Sequence, residues 1–196
     1  MKRRTMLIML GAGLLSACGE AIDRRADAGP PAHVTVLDDN LSALKTAFNA
    51  AHDDVRLLFI VGPTCGPCLR GLIDLNSNLG PSLLADRRLS VFIVAVPTLS
   101  AQLQHAQRAA QLMTGASVQH YWDPHGKSGE VVQQTLQIPE YAWDVWLTYD
   151  PGPVWDAAAP PAPATWSHQL GGLRQGTRLN PPAFAADVRA RVDRIA

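Results

Sequence analysis

The chain has 196 residues, room for one domain with short appendages, and 47% of them are hydrophobic, enough to bury an ordinary core. Its 17 Lys and Arg balance 17 Asp and Glu, which removes the electrostatic footprint of a nucleic-acid binder. Three cysteines are too few for a scaffold stapled by disulfides.

The first residues divide into the parts of an export signal. Lys2-Arg3-Arg4 forms a positive segment, and residues 6–17 form an apolar stretch. That stretch is too short to span a bilayer, which takes about 20 residues, but it suits a signal-peptide core. It ends in Leu15-Ser16-Ala17-Cys18, which resembles the bacterial lipobox of an aliphatic residue, two small residues and a cysteine. The resemblance implies lipidation of Cys18, cleavage before it, and a periplasm-facing lipoprotein of the bacterial cell envelope. Gly19 rather than Asp after the cysteine points to the outer rather than the inner membrane. Residues 18–32 are small, charged and proline-containing, as in a flexible tether, leaving residues 33–196 as the folded domain.

Within that domain, β-branched alternation predicts a strand over 33–37. Asp38-Asp39-Asn40 offer caps for a helix carrying Leu41, Leu44, Ala47 and Phe48 at helical spacing. The continuous apolar run 55–61 predicts a strand covered on both faces. Gly62-Pro63-Thr64 ends it, and a helix starts near Cys65. A second buried strand is expected over 89–96, and a helix capped by Ser100 through about Met113. A short strand over 118–122, a helix over 129–137 and a strand over 145–149 follow. The Pro/Ala-rich stretch 151–164 reads as a loop, 165–170 as an edge strand, and 182–195 as a closing helix opened by proline. Alternating strands and helices predict an α/β fold with a central sheet flanked by helices.

Cys65-Gly66-Pro67-Cys68 stands where the buried strand gives way to the helix. Two intervening residues let the sulfurs meet across one helical turn. Unpaired N–H groups and the helix dipole stabilise a thiolate on the first cysteine. Cys68, one turn deeper, is better placed to resolve a mixed disulfide than to start one. Pro67 loses no helical hydrogen bond at this early position. A zinc half-site and an unused structural disulfide are the bland alternatives, but zinc takes four ligands and there is no second cysteine pair.

This run, in its strand–helix setting, resembles the thioredoxin superfamily, in which Cys-Gly-Pro-Cys is the motif of thioredoxin itself. The additional helix, strand and helix over 100–137 resemble the membrane-anchored thioredoxin-like reductases and the peroxiredoxins. There a segment like Asp123-Pro124-His125-Gly126 precedes a helix, a cis-proline and a strand ending in Asp; Asp123, Gly126 and Asp150 match. The resemblance covers roughly residues 34–195. It implies a thioredoxin-like fold with a central mixed sheet and an extra strand–helix insertion before the cis-proline region.

Several residues depart from that pattern. Thr64 precedes Cys65 where thioredoxin has Trp, and Phe59 stands where thioredoxin keeps a buried, proton-moving Asp. Gly62 replaces the Thr that peroxiredoxins place three residues before their cysteine. Pro139 is the available proline for the cis position, but counting back from Asp150 reaches Asp144, so either Pro139 or Trp143-Asp144-Val145 fills that place. A cis-proline would expose backbone to a substrate and obstruct metal; without it, metal binding at the two sulfurs gains ground.

The function implied is an exported, lipid-anchored thiol–disulfide oxidoreductase acting on protein dithiols and disulfides. Cys65 and Cys68 are its redox pair and Gly66 and Pro67 the intervening motif. Thr64, Pro139, Trp143 and Asp144 are candidates for the substrate groove. The redox-active disulfide itself replaces any separate cofactor, and a membrane thiol carrier is the expected electron donor. The rival readings are a metal-binding or metal-delivery lipoprotein on the same sulfurs and a binding module with a structural disulfide. Lesser candidates are His120, Asp123 and His125 as metal ligands, His168 as a copper-chaperone-like histidine, Trp143, Trp146, Trp155 and Trp166 as an apolar rim, and Arg70 as a thiolate partner.

Overall fold

The computed structural model describes residues 33–195. The expected signal segment, Cys18 and the tether lie outside the described residues. The chain runs β1 (Thr35–Val36), α1 (Ser42–Ala50), β2 (Val55–Val61), α2 (Gly66–Leu83), β3 (Leu89–Ala95), α3 (Leu103–Ala109), β4 (Val118–Trp122), α4 (Lys127–Leu136), β5 (Val145–Tyr149), β6 (Thr165–His168), β7 (Thr177–Arg178) and α5 (Pro181–Val192). The strands form one mixed seven-stranded sheet in the order β1-β4-β3-β2-β5-β6-β7. The β2–β3 and β3–β4 pairs are parallel, while β5 runs antiparallel to β2 and to β6. This is a thioredoxin-like α/β fold, with β4 and α4 inserted between β3 and β5.

All seven residues of β2 are buried, because helices cover both faces of the sheet's centre. Leu57, Phe59 and Val61 point into a core closed by α2 and α5, together with Leu72, Leu75, Trp146 and Val188. Leu58 and Ile60 point the other way, toward Leu44 and Phe48 of α1, Val132 of α4, Tyr149 and Trp155. Arg56, the one charge in this strand, is buried, and no described acid bonds it. Its guanidinium donates to the carbonyls of Pro153 (2.6 Å) and Asp150 (2.8 Å) and lies over the Phe48 ring. Those bonds offset the cost of taking the charge out of water.

Two elements differ from expectation. The helix expected from Ser100 to Met113 is broken: Leu99 and Ser100 both adopt the left-handed conformation (φ 53° and 58°), so the right-handed helix starts only after them. The cap passes to Gln102, whose backbone N–H bonds back to His105 Nδ1 at 2.9 Å, and α3 ends at Ala109, followed by a 3-10 turn over Ala110–Leu112. The stretch expected as an edge strand is shorter, ending at His168, and is not the edge. Thr177–Arg178 pairs beside it as β7.

Candidate active site

The site sits where β2 ends, α2 begins and β5 enters the sheet. Because β5 is antiparallel to β2, with Val145 opposite Ile60, the residues before β5 arrive at the same end as the turn after Val61. Cys65 is the N-cap of α2 (φ −86°, ψ 118°), and its sulfur accepts from the Cys68 backbone N–H at 3.4 Å. The Cys68 sulfur in turn accepts from Gly62 N–H at 3.4 Å, which turns it toward the strand end. Both cysteines are free thiols; Cys65 keeps a small exposed surface and Cys68 has none.

Gly62 is required by close approach. A Cβ there would stand 2.6 Å from Thr98 Oγ1 and 3.0 Å from the Trp143 ring. Trp143 thereby covers the backbone that holds the Cys68 sulfur, and a threonine at position 62 has no room.

Asp144 completes the group. It precedes β5 in the left-handed conformation (φ 54°), and its carboxylate is buried, the residue only 2% exposed. One carboxylate oxygen and the two sulfurs all lie within 4.8 Å of one another. Trp146 Nε1 (3.2 Å) and Gln169 Nε2 (3.0 Å) both donate to Oδ1, and the Cys68 thiol is the nearby titratable group on α2. The Gln169 amide also donates to the Pro67 carbonyl at 3.0 Å, tying the carboxylate's support to the first turn of α2. Gly71 makes room for this support. A Cβ there would be 2.6 Å from the Trp146 ring and 2.8 Å from Gln169 Nε2.

Burial pushes the Asp144 carboxyl above its ordinary range, while hydrogen bonds from Gln169 and Trp146, the nearby Cys68 thiol and attraction to His168 act in the opposite direction. The Cys68 thiol is pushed far up, first by burial, then by the charge of Asp144 and the hydrogen bond with Cys65. Cys68 thus holds its proton against a carboxylate, and Cys65 is the outer sulfur. Among the described residues, these three side chains form the one group with the mutual spacing of metal donors. A closed zinc site takes four donors, so the group is one short.

Of the two expectations for the place before β5, the structure has Asp144 there, and no described peptide bond is cis. A proline fits poorly at φ 54°, since its ring holds φ near −65°. Pro139 is exposed beyond the end of α4, its carbonyl accepting from Gln133 Nε2 at 3.1 Å, so its bonds lie with that helix and not with the two sulfurs. Thr64 is exposed next to Cys65, its hydroxyl donating to Leu99 O at 3.3 Å. Gly66 and Pro67 are exposed on the first turn of α2.

The lesser candidates separate. His120 Nε2 meets the Met113 carbonyl, His125 pairs with Asp39, and Asp123 binds the start of α4. His168 pairs with Val145 across β5 and β6, which puts it on the sheet face opposite Trp146 and the sulfurs. The tryptophans divide too: Trp146 packs on Phe59 under α2, and Trp155 on Phe48 across the sheet. Arg70 is exposed. Sequence reasoning missed the parts of Trp146, Gln169 and Gly71. A glutamine directly after a strand has no distinguishing pattern, although the polar Asp144 just ahead of the apolar run 145–149 was a usable signal.

Fold and site together define a thioredoxin-like domain carrying a buried dithiol–carboxylate group. No family model matches the chain, and no curated protein matches its sequence.

Proposed function

We propose that the protein is a thiol–disulfide oxidoreductase of the thioredoxin superfamily, exported and held at the cell envelope by a lipid on Cys18. The observation that carries the reading is the placement of two free sulfurs at the start of α2, Cys65 outermost and Cys68 buried beneath it. The helix start offers unpaired N–H groups to a Cys65 thiolate, the attacking species in disulfide exchange.

The Cys65 thiolate attacks one sulfur of a substrate disulfide, forming a mixed disulfide and releasing the other substrate sulfur as a thiolate. Cys68 then loses its proton and attacks Cys65 Sγ. The Cys65–Cys68 disulfide forms, the second substrate sulfur leaves, and two electrons have passed from the protein to the substrate. Gly-Pro between the cysteines resembles the reducing branch of the superfamily, so reduction or exchange is the favoured direction. A membrane thiol carrier restores the dithiol in an oxidising compartment.

Insulin reduction with a dithiol donor tests this. The wild-type protein turns over in the presence of a chelator, Cys65→Ser abolishes turnover, and Cys68→Ser traps a mixed disulfide visible by mass spectrometry. A metal-free wild type with no turnover, together with one tightly bound metal per chain, overturns the reading.

A further inference from the structure

Three acidic groups are buried together: two thiols and the Asp144 carboxylate, mutually within 4.8 Å. A buried ionised carboxylate is costly unless something satisfies it, and here the N–H donors satisfy one oxygen alone. Within 4.8 Å of a carboxylate oxygen lies the sulfur of Cys68, the group that must become a thiolate before the second step can occur. Phe59, where thioredoxin keeps an acid, is fully buried and cannot take a proton.

We propose that Asp144 is a catalytic residue, the base that accepts the Cys68 proton while Cys68 attacks the mixed disulfide. This rests on the oxidoreductase reading and adds the residue that moves the proton. The S–H bond of Cys68 breaks as the carboxylate takes the proton. The Cys68–Cys65 bond forms as the bond from Cys65 to the substrate sulfur breaks, and the departing thiolate takes the proton from the Asp144 carboxylic acid. Charge inside the pocket stays constant throughout, which a low-dielectric site demands.

Geometry holds the base ready. Trp146 and Gln169 fix Oδ1, and Gln169 links it to Pro67, so the carboxylate moves with the helix turn that carries both sulfurs. The titratable groups acting on it are Cys68 from α2 and His168 from β6, with Cys65 within the same 4.8 Å.

Reaction of the reduced protein with dithiobis(nitrobenzoate), in chelator, separates the steps. Attack by Cys65 releases one coloured thiolate, and resolution by Cys68 releases a second. Asp144→Asn keeps an acceptor oxygen for Trp146 and Gln169, and asparagine tolerates the left-handed backbone. The expected result is a first release within about 3-fold of wild type and a second slowed by about 10²-fold, the usual lower reach of general base catalysis. The adduct on Cys65 then accumulates in the mass spectrum. The wild-type second rate levels off once Asp144 is ionised, whereas the variant's keeps climbing with pH because hydroxide must do the work. A variant that resolves within 3-fold of wild type, with the same pH profile and an unchanged unfolding curve, overturns the role of Asp144 alone. A wild type that never forms the Cys65 adduct overturns the oxidoreductase reading with it.

Discussion

Two carboxylates in this molecule are equally hidden, Asp123 at 1% exposure and Asp144 at 2%, and they are kept for opposite purposes. Asp123 follows β4 and spends both oxygens on the chain immediately after it. Oδ2 accepts from the Ser128 N–H (2.6 Å) and hydroxyl (2.7 Å), and Oδ1 from the His125 N–H (3.2 Å). Gly126, at φ 71°, turns the backbone so that these donors converge at the start of α4. Asp144 takes its N–H donors from side chains, both on one oxygen, and lies within 4.8 Å of both sulfurs. Full local satisfaction marks a carboxylate that builds a helix; incomplete satisfaction beside sulfur marks one with protons to move.

That contrast breaks most visibly at Asp123. Asp123→Ala removes three donors' acceptor at a helix start, including bonds to a charged group, and should cost about 2–4 kcal/mol in urea unfolding. The first thiolate release should stay within about 3-fold of wild type. If the stability loss is below about 1 kcal/mol, Asp123 is not the helix builder described here.

The pH dependence of stability sharpens it from the other side. Because the folded state raises Asp144's pKa, its protonated form favours folding below the ordinary carboxylate value of about 3.9, and that contribution is lost as pH rises through the raised value. Asp144→Asn lacks this loss. The stability of the variant relative to wild type should therefore increase between pH 4 and pH 8, by more than the roughly 0.5 kcal/mol typical of surface substitutions. A flat difference across that range removes the burial penalty from the account.

The smallest effect belongs to Gly66. A Cβ there meets nothing within 4 Å, so Gly66→Ala should fold normally and gain up to about 1 kcal/mol of helix stability in thermal unfolding. Its dithiol should still release both thiolates. Destabilisation would mean that the first turn of α2 is tighter than its open surroundings indicate.

The strands at the centre of the sheet were the legible part of the fold. Residues 55–61 and 145–149 match their strands end to end, because apolar runs have few alternatives to burial in a sheet covered on both faces, and 118–122 matches as well. The helix over 100–113 failed for a local reason. Two consecutive non-glycine residues in left-handed backbone leave no mark on hydrophobic spacing. The two exposed residues of β7 carry no alternation to detect. At the site, strand–helix context was enough to single out Cys65 and Cys68, and counting back from Asp150 reached Asp144. Its chemistry was not readable, since its support comes from Gln169 through the β5–β6 pairing, a long-range register that one sequence does not display.

The antiparallel seating of β5 beside β2 also has a consequence for how the molecule assembles. The two sulfurs come together locally, within one turn of a helix that can form early. The carboxylate reaches them only when a strand from much later in the chain docks against the sheet's middle, a contact of long loop closure and hence slow to form. The two sulfurs are thus placed by local chain alone, whereas the carboxylate beside them depends on the docking of β5 against β2.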